Sequence, residues 1–261
     1  MARVSKGAWM FSVGMCMGGW MIASAASIPD LNGTWQIFPD PYGDATNDLF
    51  APDPPPPGGE PPLKEPYASA YKSLLKRQKA ANAQGKPLAT ASSRCLPEGM
   101  PTLMSAHYAL EFLQTPGRVT VIAEFMAEIR RIYLNEKLPA VEDVAPSYAG
   151  YSVGRWNGDI LEVETVGVRP DVRYLDIPHT AKMKIQERIH LTAPDLIQDD
   201  ITITDPEVLT RPYKFTYGYK KDPGYRITEY ICEDNHVVVD QDGSFKLKVA
   251  PQEKPSQGKP K

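Results

Sequence analysis

The chain has 261 residues, 42% of them hydrophobic, with 29 Lys and Arg against 32 Asp and Glu. That length supports one generous domain with a sizeable core. The mildly acidic balance argues against nucleic acid or an anionic membrane surface as partner.

Arg3 and Lys6 precede an uncharged apolar run from Ala8 to Ala26, which ends on the small-x-small pattern Ala23-Ser24-Ala25. This reads as a secretory signal peptide spanning residues 1–25. Cys16 follows Met15 where a lipidation site needs a small residue, so no lipid anchor is expected. Processing would leave a periplasmic or secreted chain with no transmembrane segment and a net charge near −5. Its two cysteines, Cys95 and Cys232, allow one intramolecular disulfide. Closing so long a loop would stabilise the fold by roughly 4–5 kcal/mol; the alternative is two buried thiols. Neither reading makes them metal ligands.

"LNGTWQI", Leu31 to Ile37, reads as a first strand. "APDPPPPGGEPP", Ala51 to Pro62, is an extended arm, because proline fixes φ and removes backbone donors. Tyr67, Tyr71, Leu74, Leu75 and Gln78 then recur at helical spacing, and Gly85 and Pro87 end the run. This lone amphipathic helix must lie against something, either capping the β domain or acting as a lid. Alternating segments follow at 107–114, 117–125, 128–134, 150–156, 159–166, 183–191, 195–205, 212–220 and 225–232, separated by Pro-Gly, Asn-Gly and Ala-Pro-Asp turns. The organisation is therefore a signal peptide (1–25), first strand, arm and helix (26–105), β-barrel (106–250) and a disordered polar tail (251–261). The expected fold is all-β, an antiparallel up-and-down barrel of about 8–10 strands with one flanking helix, since closure removes exposed strand edges.

Period-2 alternation assigns the inward faces. Tyr213, Phe215, Tyr217 and Tyr219 fall together, Glu187 falls with Ile185 and Ile189, and Asp199 falls with Ile197 and Ile201. Glu229 groups with Ile227 and Ile231, and Arg131 with Ile129 and Tyr133. A desolvated carboxylate needs a partner or a proton, so these groups imply either structural pairing or a wetted cavity.

Of the four histidines, His107, His179, His190 and His236, no two have metal-ligand spacing. His179 lies in the loop "DIPHTAK" shortly after Asp176 and is a candidate general base. Motifs for serine hydrolase, nucleotide, dinucleotide and zincin chemistry are missing. Catalysis, if present, would be cofactor-free acid–base work by Glu187, Glu229 or His179, with tyrosines as acids.

Gly33-Thr34-Trp35 resembles the G-x-W that opens lipocalin and calycin barrels. The resemblance implies a tryptophan closing the barrel base under a basic side chain, for which Arg226 and Arg188 are the candidates. "RCLPEGMP" (94–101), "LQTPGRVTVIAE" (113–124), "RRIYLNEKLP" (130–139), "SVGRWNGDILEVETVGV" (152–168), "PHTAKMKIQERIHL" (178–191), "ITITDPEVLTRPY" (201–213) and "EYICEDN" (229–235) together resemble a large group of exported, mostly hypothetical bacterial proteins. That resemblance implies an exported, cysteine-bridged β-barrel and supplies no catalytic assignment.

The expected function is binding of a small apolar molecule, aromatic or terpenoid-like, in a lipocalin-like barrel. Arg131, Tyr133, Tyr213, Tyr217 and Tyr219 would contact the ligand, without metal or cofactor. The alternatives are a cofactor-independent lyase or isomerase in the same cavity, and a partner-binding module using the proline-rich arm.

Overall fold

β-Branched and aromatic residues alternating with polar ones build nine strands: β1 (Gly33–Ile37), β2 (Leu110–Thr115), β3 (Arg118–Ala123), β4 (Glu128–Leu134), β5 (Tyr151–Asn157), β6 (Ile160–Val166), β7 (Lys184–Ala193), β8 (Leu196–Thr204) and β9 (Tyr213–Lys221). They pair in chain order and close into a barrel. The computed structural model describes residues 28–40, 56–105, 108–232, 237–239 and 241–247. The signal-peptide and tail assignments lie outside the described residues, as do His107 and His236.

Nine is an odd number, and strict up-and-down alternation would leave β1 and β9 parallel. The chain resolves this parity at β4 and β5, which pair in parallel through Ile132↔Ser152 and Leu134↔Gly154. The segment 135–150 carries the chain back along the barrel to make that possible. β1 can then close antiparallel onto β9, with Trp35 opposite Lys221 and Ile37 opposite Tyr219.

The direction of each strand sorts the connections. Tight turns at 116–117, 158–159 and 194–195 lie at one end, the base, together with the start of β1. The long connections before β2, β5, β7 and β9 lie at the other end, the mouth. Trp35 is fully buried near the base, its indole N–H donates to the Leu31 carbonyl at 2.9 Å, and the Lys221 ammonium stands 5.2 Å from the ring centroid. Lys221 therefore takes the place expected for Arg188 or Arg226. Arg188 is on the outer wall bonded to Glu162, and Arg226 is exposed.

Three pieces plug the mouth. The short helix α2 (Thr102–Ser105) buries Leu103 and Met104, and its Met104 carbonyl accepts a hydrogen bond from the Tyr219 hydroxyl at 2.7 Å. The loop 167–183 inserts Tyr174, stacked on Phe215 at 4.9 Å. The amphipathic helix α1 (Tyr67–Ala83) buries Tyr71, whose hydroxyl reaches the Leu175 carbonyl, while Gln78 donates to Asp176 at 2.6 Å. The helix is thus a cap braced against that loop.

Cys95 and Cys232 form a disulfide. The segment 225–232 is not a strand, despite its alternating pattern. β1 already occupies the free edge of β9, so the closed barrel offers no place for it. It is tied down instead by the disulfide and by Glu124, which accepts hydrogen bonds from the Tyr225 and Thr228 hydroxyls. β10 (Val237–Val239) and β11 (Phe245–Leu247) make a separate two-stranded ribbon.

Candidate functional site

The barrel interior is a row of inward residues that the ladder registers bring together. Pairing of Arg130 with Val121 and of Ile132 with Val119 turns Glu128, Arg130 and Ile132 inward on β4. Ile129, Arg131 and Tyr133 consequently face outward, reversing the expectation for Arg131 and Tyr133. Arg131 is exposed, Ile129 is 45% exposed, and Tyr133 stacks on Tyr151 outside the barrel at 5.2 Å. Glu229 is also exposed, in the irregular segment after β9.

Arg130 is the residue the sequence pattern missed. Its guanidinium grips both oxygens of Glu187, at 2.7 and 2.5 Å, and also donates to Ser152 (3.2 Å) and Thr165 (3.0 Å). The Ser152 and Thr165 hydroxyls are 2.8 Å apart. All four residues are buried. Glu187 is thus held as the counter-charge of Arg130, in a bidentate geometry that makes a buried pair tolerable.

Asp199 sits beside this pair, diagonally across the β7–β8 ladder from Glu187. It is fully buried, no N–H or hydroxyl group reaches either carboxyl oxygen, and its one hydrogen-bonding neighbour is the Glu187 carboxylate. Burial, and next the negative charge of Glu187, hold its carboxyl well above the usual carboxylate range, with Arg130 pulling the other way. One guanidinium offsets one carboxylate, so Asp199 is the neutral member of the trio.

Tyr213, Tyr217 and Tyr219 do point inward and are buried. Their hydroxyls are engaged: Tyr217 with Tyr174 at 2.5 Å, Tyr219 with the Met104 carbonyl and Tyr213 with the Gly59 carbonyl at 3.1 Å. Burial raises all three phenols, Tyr213 to about 12. They pack against Tyr174, Phe215 and the mouth segments rather than standing free.

Two concavities compete for attention. One is an open trough of about 1010 Å³ on the outer wall of β5–β9, where Arg155, Glu162, Arg188 and Asp200 form one cross-strand row. Its carboxylates are already satisfied: Glu162 by Arg155, Asn157 and Arg188, and Asp200 by Gln198 and Thr216. It is the larger feature, and the carboxylates of its cross-strand row are already partnered.

The other is a cleft in the mouth, apolar in most of its lining: Met100, Ile177, Met183, Ile203 and Leu209, with Tyr174 and Tyr213. Its free volume is about 20 Å³. His179 lines it, with Nδ1 3.0 Å from the Thr180 carbonyl and a buried Nε2 that meets no hydrogen-bond partner. Burial, the strongest influence, lowers the pKa of the ring and keeps it neutral. Asp205 braces the same loop by accepting from the Thr180 N–H and hydroxyl at 2.6 and 3.0 Å.

No known protein family matches the chain, and no curated protein is detectably similar to it.

The loop over the cleft stores strain. Leu175 and Asp176 have φ of 48° and 62°, a left-handed pair that is costly for residues with a Cβ. The bonds from Tyr71 and Gln78 of α1 hold that turn in place. Of the proposed site residues, then, the structure brings His179 and Tyr213 to the cleft and buries Tyr217, Tyr219 and Glu187 deeper. Arg131, Tyr133 and Glu229 lie elsewhere. Among the described residues no cluster of His, Cys, Asp and Glu is arranged to hold a metal ion. No helix among them is long and apolar enough to cross a membrane.

Proposed function

We propose that this is an exported barrel that binds a small apolar molecule in its mouth, beneath the loop 167–183 and helix α1. The observation that carries this reading is an orphaned polar atom, His179 Nε2, at the edge of an otherwise apolar cleft. Specific small-molecule sites combine apolar walls with a few placed polar groups. The cleft is closed down to about 20 Å³, so binding requires the strained Leu175–Asp176 turn to give way. Met100 and Met183, unbranched and adaptable, would repack around the guest. The disulfide fits an oxidising compartment and so supports export.

The test is mass spectrometry of the purified chain for a co-purifying apolar molecule, followed by thermal shift with that molecule. A filled cleft variant, Ile203→Trp, should abolish the shift while the barrel remains folded by circular dichroism. An unchanged shift would remove the cleft from consideration.

A second reading is favoured by the same histidine. A neutral ring with an unpartnered nitrogen is a competent base, so the cleft also suits proton abstraction in a cofactor-free isomerase or lyase. Glu187 is not available for that role, being consumed by Arg130. Turnover of the bound molecule, lost in His179→Leu while binding persists at reduced affinity, would select the enzyme.

A further inference from the structure

Resting on the reading of the mouth as an apolar-ligand site, we infer that its ligand carries a hydrogen-bond donor, an alcohol or phenol hydroxyl on an otherwise hydrocarbon frame. Four polar side chains line the cleft: Tyr174, His179, Asp205 and Tyr213. Tyr174 is engaged with Tyr217, Tyr213 with the Gly59 carbonyl, and Asp205 with Thr180. That leaves His179.

A carbonyl oxygen can only accept, so the 3.0 Å contact with the Thr180 carbonyl puts the ring hydrogen on Nδ1. A neutral imidazole has one such hydrogen, and Nε2 is therefore a bare lone pair. The surroundings keep the ring neutral: burial and the Arg173 charge disfavour the cation, outweighing Asp205 and the carbonyls of Thr180 and Val172. A buried lone pair that no donor of the protein meets is satisfied only by an incoming O–H or N–H.

The same geometry rejects other classes. A carboxylate or ketone would oppose its own lone pairs to Nε2, and a carboxylate would also bring an unpaired charge into the cleft near Asp205. The cleft's free volume of about 20 Å³ admits a group no larger than about one hydroxyl before its walls move. The hydrocarbon remainder would lie where Met100 and Met183 now close the cleft.

Three matched probes test this: 4-propylphenol, 4-propylanisole and propylbenzene, titrated calorimetrically into the mature chain. The phenol should bind roughly tenfold tighter than the ether or the hydrocarbon. His179→Leu, close to histidine in volume and lacking the acceptor, should make the three alike. Nitrogen NMR of the labelled histidines in the unmodified protein gives an answer that needs no variant. It should show a bare Nε2 whose resonance moves with the phenol and not with the ether. Equal binding of all three probes, or a hydrogen found on Nε2, would overturn the donor requirement and leave the apolar site standing. If none of the three binds, the apolar reading fails and takes the donor requirement with it.

Discussion

Asp199 shows how a single buried group couples the fold to pH. In the unfolded chain its carboxyl titrates near 3.8, whereas burial and the charge of Glu187 keep it protonated in the barrel. Folding therefore takes up a proton. The stabilising contribution is complete below about pH 4 and declines above it by about 1.4 kcal/mol per pH unit, until the folded-state pKa is passed. Asn cannot lose that proton, so Asp199→Asn should match the parent in acid and become progressively more stable than it towards neutrality. Urea unfolding of both chains across this range checks the sign, and a pH-independent difference would mean that Asp199 is ionised in the barrel. Glu128 leans the same way: burial pushes it to about 7 despite the Glu98 and Gly99 N–H groups it accepts. Strand alternation was enough to read Glu187 and Asp199 as inward, because each sits in a clean run of isoleucines. Arg130 was hidden because "EIRRIYL" places Ile129 and Ile132 on opposite faces. Only the pairing of β4 with Val119 and Val121 breaks that tie. His179 was legible as a loop base, but its orphaned nitrogen depends on packing that no local pattern encodes.

At the scale of elements, β1 is short and its success rests on one glycine. Gly33 has φ of 121°, and a Cβ there would meet the Lys221 side chain at 3.1 Å. Gly33→Ala should therefore cost about 1–3 kcal/mol and lift Lys221 away from the Trp35 ring. Chemical denaturation would measure the first effect and near-ultraviolet circular dichroism of the tryptophan the second. Loss of stability without any change at Trp35 would separate the glycine from the lysine. Eight of the alternating segments after Cys95 became strands within a few residues of their expected bounds, because turn residues bracket each of them. The ninth, 225–232, has equally good alternation and is irregular. Its fate was decided by an edge that another strand had taken, a tertiary fact with no trace in the segment itself. The parallel step from β4 to β5 was hidden for the same reason, since it follows from an odd strand count rather than from residues 135–150.

For the molecule as a whole, the disulfide is the longest covalent tie, joining residues 137 positions apart. Cross-linking across such a span restricts the unfolded chain and should contribute about 5 kcal/mol. Cys232→Ser, or reduction of the parent, should lower the urea midpoint accordingly while the barrel's far-ultraviolet spectrum persists at low denaturant. An unchanged midpoint would assign the bridge to holding the 225–232 segment alone. The pairing of β1 with β9 has a consequence in time as well as in space. The earliest strand to emerge from a ribosome or translocation pore keeps one bare flank until residues 213–221 arrive. Completion therefore waits on the first and last strands of the barrel meeting, a slow, entropy-limited event. Throughout that wait the flank beside Trp35 is open to any other extended chain nearby.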